Sequence, residues 1–304
     1  MLIGQAPVAA SEEVKTNVIV QRFDSALYVR TPWYRSALDK VVRLQIGAAD
    51  PVDWVSEKLI PSSTPIASTI SVFTTSGTVL RNAADESPPA HIDGVWIGGN
   101  HSTTPFYEIS IAIDGTAITA TRGDWTGQVL TITESYGLPM PASSSLKGSV
   151  VITRTFGPDG FCRYTYALTA LTTLTLDYIN GMQALKPVLA NGQSLYLLVP
   201  GSNITDGVDI SSEATQRLMP PSDWTDPNSP PHYFLQEVRQ AGVAQWAYAM
   251  GFDTGVNRGT LTTAFERSAP GKFYPRGYEG NETLRAGERR TISGFFGAFN
   301  RIGN

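Results

Sequence analysis

Between Thr165 and Tyr178 the chain runs without a glycine or proline, and threonines interleave with apolar side chains (TYALTALTTLTLDY). That period of two belongs to a strand with one buried and one wet face, and it is incompatible with an amphipathic helix. Two threonines fall side by side at Thr172 and Thr173. The run is therefore either one long strand or two strands whose faces change there. Similar short runs, rich in Val, Ile, Thr, Tyr and Phe and closed by Gly, Pro, Asn or Asp, recur along the chain. Strands are expected at 17–23, 26–30, 40–46, 66–74, 94–97, 107–113, 116–121, 128–136, 148–156, 162–170, 172–183 and 194–199. Helical signals are few. Asp50 as N-cap and Pro51 at the first helical position predict one short helix over 50–59, and 231–245 suits a second helix as well as it suits strand.

These runs predict an all-β chain, a large antiparallel β-sandwich with one or two short helices. At 304 residues its core needs no staple, and no composition shift or fixed-period repeat marks a boundary, so residues 1–304 read as one domain. The stretch 203–231 is rich in proline and poor in aliphatics, which reads as a long loop or lid.

Charge excludes some partners. Lys plus Arg is 23, Asp plus Glu is 27, and the net charge of −4 argues against a nucleic-acid binder that depends on phosphate contacts. From Val256 onward eight basic residues face four acidic ones, so a cationic C-terminal surface could meet an anionic ligand. The single cysteine, Cys162, excludes an intrachain disulfide and reads as a small core residue. No run of about 18 apolar residues offers a membrane span. The start has no leader pattern, so the chain as given reads as cytoplasmic or as a mature secreted form.

No cofactor is expected: the chain lacks G-x-S-x-G, Walker A, G-x-G-x-x-G and H-E-x-x-H patterns. No metal is expected either, because His91, His101 and His232 have no ligand spacing. The densest polar cluster runs from His91 to Glu108. Within it Gly98 and Gly99 let the backbone turn sharply before Asn100 and His101, which would place an amide beside an imidazole at a strand end, with Tyr107 close behind. Ordinary turn chemistry explains the same residues. His91, after Pro88 and Pro89, reads as a solvent-facing loop histidine.

His232 and Tyr233 follow the proline-rich stretch, where a lid could carry them over a cleft or anchor the chain's return. Lys272, Tyr274 and Arg276 alternate, which puts two cations and a phenol on one strand face suited to a sugar carboxylate. Arg154 is a further anion candidate, Arg122-Gly-Asp reads as a turn, and Trp96 and Trp125 could stack on a sugar ring or fill the core.

Two stretches, VITRTF to FCRYTYAL (residues 151–168) around a Gly157–Gly160 turn and NETLRAGERRTISGFFGAF (281–299), resemble the β-supersandwich of galactose mutarotase-like proteins and of polysaccharide lyases with that architecture. The resemblance implies a carbohydrate-active enzyme. Lyases of this architecture use Asn, His, Tyr and Arg to eliminate across a uronic acid. The chemistry then suggests Asn100 with Arg276 or Lys272 as carboxylate neutralisers, His101 or Tyr107 as base, and Tyr107 or Tyr274 as acid. Trp96, Trp125, Arg154, His232 and Tyr233 would bind the acidic polysaccharide or oligosaccharide. The alternatives are a glycoside hydrolase, for which Asp93 and Glu108 would be the carboxylate pair, a sugar epimerase, or a non-catalytic carbohydrate-binding or phage tail or surface assembly protein.

Overall fold

The computed structural model describes residues 16–47, 52–84, 90–97, 107–139, 146–181, 184–185, 187–201, 207–211, 233–253, 265–268 and 272–302. In chain order it begins with β1 (Val18–Phe23), β2 (Ala26–Pro32), β3 (Leu38–Ile46) and β4 (Val52–Pro61). A 3-10 turn (Ile66–Ser68) leads into α1 (Thr69–Thr75), and β5 (Thr78–Ala84), β6 (Ala90–Ile92), β7 (Val95–Ile97) and β8 (Tyr107–Ile113) follow. Next come β9 (Thr116–Ala117), β10 (Arg122–Gly127), β11 (Leu130–Pro139), β12 (Leu146–Phe156), β13 (Cys162–Ala170) and β14 (Leu174–Asn180). The remaining strands are β15 (Ala184–Leu185), β16 (Gln193–Leu198), β17 (Val208–Asp209), β18 (Tyr233–Gln240), β19 (Val243–Phe252), β20 (Phe265–Ser268), β21 (Lys272–Leu284) and β22 (Arg289–Asn300).

These strands form three antiparallel sheets. The first has the order β10-β1-β2-β3-β4-β5, and the second is ten-stranded, β17-β16-β18-β19-β22-β13-β12-β11-β8-β9. The third runs β15-β21-β14-β6-β7, with β20 paired to β21. Alternation fixes which face of the large sheet is buried. Ile132, Tyr136, Val150, Ile152, Phe156 and Leu168 point inward from their strands, and one apolar cluster joins side chains of all three sheets. Trp54 of β4 seats the first sheet on the second: its ring lies 5.5 Å from Phe156 and 4.6 Å from Phe296. Lys40 of β3 adds a polar tie, its ammonium donating to the carbonyls of Gly160 and Ala298. Gly160 sits at φ +76 in the turn before β13, a conformation that glycine adopts without a Cβ penalty.

The all-β sandwich expectation holds, and so does the burial of Cys162. Several local expectations do not. Residues 50–59 do not form a helix; Val52–Pro61 is a strand, because Val52, Trp54 and, after a register slip, Glu57 and Leu59 all point inward. Conversely, 66–74 is not a strand. Thr69 and Phe73, four residues apart, are its buried positions, so the segment coils to present one face, and the Phe73 ring packs 5.4 Å from Tyr28. The Arg122-Gly-Asp segment is not a turn but part of the edge strand β10, paired in register with β1. The 165–178 run takes the second of its two expected forms, two strands, which lie in different sheets and are divided after Ala170, where Leu171 and Thr172 donate to the Lys147 carbonyl. Of the two forms open to 231–245 the described part takes the strand, in a hairpin over 233–252, whereas β5 was not expected at all. Most of the 203–231 stretch lies outside the described residues.

Candidate functional site

The site begins at a two-residue hairpin. Asp93 and Gly94 join β6 to β7 with φ of +49 and +78, the Asp-Gly turn whose twist matches paired strands. Asp93 does more than turn the chain. Its Oδ1 accepts from the Thr175 backbone N–H at 2.7 Å, its own N–H donates to the Thr175 carbonyl, and Lys147 of β12 donates to Oδ2. Burial pushes the Asp93 carboxyl up, but the bonds from Lys147 and Thr175 outweigh it and hold the group below the usual carboxylate range. The hairpin is thereby pinned to β14 and to the large sheet.

Pairing then decides what meets His91. Ile92 stands opposite Leu176, both buried, and His91 stands opposite Tyr178 rather than Asp177, because the register slips by one residue. Asp177 and Tyr178 thus share one partner, as happens at a bulge that re-aims side chains. The result is a carboxylate-bound imidazole beside two rings. His91 Nδ1 lies 2.7 Å from Asp177 Oδ2, with the two side chains 21% and 15% exposed. Trp96, opposite His91 across the hairpin, has its ring 5.0 Å from the imidazole, and Tyr178 has its ring at 5.5 Å. Trp96 and Tyr178 lie nearly parallel, 14° apart in plane. A carboxylate on Nδ1 orients the imidazole and leaves Nε2 as the nitrogen that exchanges a proton with a bound molecule. Neighbouring aromatic faces suit the C–H surface of a sugar ring.

The expected site residues are distributed over three sheets. Trp96 is in the His91 hairpin. Lys272, Tyr274 and Arg276 lie along β21, which pairs with the opposite edge of β14, so the backbone brings them into the same sheet as His91, with Arg276 opposite Asn180. Tyr107 opens β8 in the ten-stranded sheet, opposite Tyr136. Tyr233 opens β18 on the far side of that sheet and Trp125 is half-buried against the core from β10 in the first sheet. Arg154 is 1% exposed and lies 2.9 Å from Glu134 inside the sandwich. Burial raises the Glu134 carboxyl, opposed by Arg154. Asn100, His101 and His232 lie outside the described residues.

Sequence reasoning passed over His91, which is half-buried in a strand and carboxylate-bound rather than solvent-facing in a loop. The available signal was alternation: AHI followed by Asp-Gly and VWI reads as a hairpin that puts His91 directly across from Trp96. Asp93, offered as half of a hydrolytic carboxylate pair, is committed to Lys147 and Thr175. Among the described residues no group of three or more His, Cys, Asp and Glu is placed to hold a metal. No helix among them is long and apolar enough to cross a membrane.

No protein-family profile matches the chain, and no curated protein does. Among solved structures, it is similar to a GH36 α-galactosidase from Geobacillus stearothermophilus in complex with 1-deoxygalactonojirimycin, at 13% identity and a TM-score of 0.42 over 93% of this chain. A Glycoside Hydrolase Family 97 enzyme from Pseudoalteromonas sp. strain K8, in complex with acarbose, matches at 7% identity and a TM-score of 0.40 over 88% of this chain. The chain spans 40% of the length of the first of these and 35% of the second. Galactose 1-epimerase from Lactobacillus acidophilus NCFM matches over 95% of this chain and 99% of its own, at 9% identity and a TM-score of 0.36.

Proposed function

We propose that the protein is a carbohydrate-active enzyme of the lyase class, cleaving a uronic-acid-containing polysaccharide by β-elimination, with His91 at its proton-transfer centre. The observation that carries this reading is the carboxylate-bound imidazole of His91 beside the rings of Trp96 and Tyr178. A sugar ring set against those faces would present a C–H bond to Nε2. A cation from the same sheet, Arg276 or Lys272, would pair with the uronate carboxylate and make the C5 proton more acidic. His91 would take that proton, the C5–H electrons would form the C4=C5 double bond, and the C4–O bond would break. An acid drawn from Tyr107, His101 or Tyr274 would protonate the departing oxygen, while Asn100 would help neutralise the carboxylate. Asp177 is the positioning residue: its charge orients the imidazole and stabilises the imidazolium that forms.

The test is ultraviolet absorbance of a conjugated unsaturated uronate while the protein is incubated with a panel of acidic polysaccharides. The expected result is a rise that falls by about 10²–10⁴-fold in His91→Gln. No rise on any acidic polymer overturns the lyase reading, and new reducing ends without absorbance would mark a hydrolase instead. A rise that survives His91→Gln but disappears in His101→Ala would move the base to His101.

A further inference from the structure

Near one edge of the ten-stranded sheet, β16 and β18 bury Leu195, Leu197, Phe234 and Val238 on one face. Alternation puts Tyr196, Glu237 and Arg239 on the other face, where Glu237 stands between Tyr196 and Ala247. A glutamate on that outer face should be wet, yet Glu237 is 2% exposed. Two guanidiniums cover it. Arg239 Nε donates to Oε1 at 2.6 Å and Arg301 Nε donates to Oε2 at 3.1 Å. A bulge brings the second arginine in: the pairing of β18 with β19 slips between Val238 and Arg239 and passes over Gln245, whose carbonyl accepts from the Arg301 N–H.

Each arginine spends only Nε on the carboxylate. Among the described residues nothing accepts from the Nη nitrogens of Arg239 or Arg301, and the two side chains are 22% and 35% exposed. Arg239 is held from a second side, with its guanidinium 4.0 Å from the centre of the Tyr196 ring. Two cations on one carboxylate leave a positive charge to spare. Asp209, opposite Tyr196 on β17, is turned to Ser211, whose N–H and hydroxyl both donate to its Oδ1. The outcome is a pair of anchored N–H forks with surplus positive charge, which is what an oxyanion requires. A carboxylate is satisfied by a single fork, because its two oxygens take two parallel N–H bonds. Two forks call for an acceptor with more oxygens, turned to different sides, as in a phosphate or sulfate group.

We propose that Arg239 and Arg301 bind a tetrahedral oxyanion, the phosphate or sulfate group of a free ion or of a monoester, on the outer face of the large sheet and apart from the His91 centre. Glu237 is the positioning residue, fixing both guanidiniums through Nε while their Nη ends meet the anion. Farther along the same row stand Ala247 and Phe299, with the Phe161 ring 5.8 Å from that of Phe299, so apolar surface adjoins the forks for the carbon body of an ester.

The experiment is isothermal titration of the full chain, in chloride buffer at constant ionic strength, with inorganic phosphate, inorganic sulfate, phenyl phosphate and acetate. A tetrahedral anion, free or esterified, should bind at a single site with a Kd of about 1 mM or tighter, and acetate should bind more weakly by about tenfold or more. Tighter binding of phenyl phosphate than of inorganic phosphate assigns the site to esters; equal or weaker binding assigns it to the free ion. Arg239→Gln and Arg301→Gln should each weaken binding by about tenfold or more, and each leaves Glu237 with one arginine. Should Arg239→Gln fail to fold, Arg301→Gln decides, because Arg301 lies beyond the last strand. His91→Gln should leave this binding unchanged, so the site and the lyase reading fail separately. The proposal is overturned by the absence of saturable binding of all three tetrahedral anions up to high-millimolar concentration. Acetate binding as tight as that of phosphate overturns it too, as does a folded arginine variant that is less stable yet binds the anion as wild type does, the behaviour of a solely structural ion triad.

Discussion

The Lys40→Met substitution removes the hydrogen bonds and the charge of a buried amine together, and only the charge makes its effect depend on pH. Lys40 is 1% exposed, and its amine donates to the carbonyls of Gly160 and Ala298, where the first sheet meets the second. Burial pushes its ammonium below the ordinary lysine range, with Glu57 opposing the shift. Methionine keeps most of the aliphatic stem but leaves two buried carbonyls short of a donor, at about 1–3 kcal/mol each. Relief of the amine's desolvation offsets part of that loss. The net expectation near neutral pH is a destabilisation of about 1–3 kcal/mol. The pH dependence gives the sharper test. Between the lowered folded value and about 10.4, the unfolded chain binds a proton at Lys40 that the folded chain has released, so wild-type stability rises with pH through that window. The slope is at most about 1.4 kcal/mol per pH unit, and Lys40→Met has no such contribution. Urea unfolding of both proteins at intervals from about pH 7 to about pH 10 should therefore show the wild-type advantage widening. A constant or narrowing advantage would refute the claim that the folded state holds this amine below its ordinary range.

Trp54→Ala should lose about 3–5 kcal/mol in thermal or urea unfolding, because it vacates the contact with Phe156 and Phe296 that seats one sheet on another. Gly294→Ala should destabilise by about 1–3 kcal/mol, since a Cβ there would lie 2.3 Å from the Gly251 carbonyl and 2.6 Å from the Tyr164 hydroxyl; an unchanged melting temperature would contradict the close pairing of β19 with β22. Asp93 stabilises the fold above the unfolded carboxyl value of about 3.9 and loses that contribution as pH falls through its lower folded value. The stability gap between wild type and Asp93→Asn should accordingly shrink in acid, measured by urea midpoints. Asp177→Asn should lower turnover and alter its pH profile while leaving melting nearly unchanged, a combination that a purely structural carboxylate would not give.

Much of the fold was legible because period-two alternation is a statement about two faces, and this protein is built almost wholly from faces. The strand expectations at 107–113, 148–156 and 162–170 fall on β8, β12 and β13, where the inward positions are the apolar ones. The errors came where local chemistry and tertiary packing disagreed. Asp50-Pro51 is a good helix start, yet Trp54 buries more by pointing into the sandwich every second residue than a short helix could bury on one stripe. The 66–74 segment failed in the opposite direction. Its β-branched composition favours strand, but Arg30 needs an acceptor at Thr69 and Tyr28 a ring at Phe73, and only a helical turn offers both from one side.

The candidate site was half legible, for a physical reason that the hairpin itself makes plain. Trp96 and the β21 cations stood out as residue types, since aromatic faces and alternating charges announce themselves in one dimension. His91 did not, because its role depends on Asp177, 86 residues away, and on a one-residue slip that sets Asp177 and Tyr178 against the same partner. A spacing pattern records neither event. What the sequence does carry is the condition for them: the Asp93-Gly94 turn fixes the hairpin's register, and that register alone decides that His91, rather than Ile92, faces Trp96. Had the turn been one residue longer, Trp96 would stand opposite Ile92 on the buried face, and the imidazole that β14 holds beside Asp177 would have lost its indole neighbour.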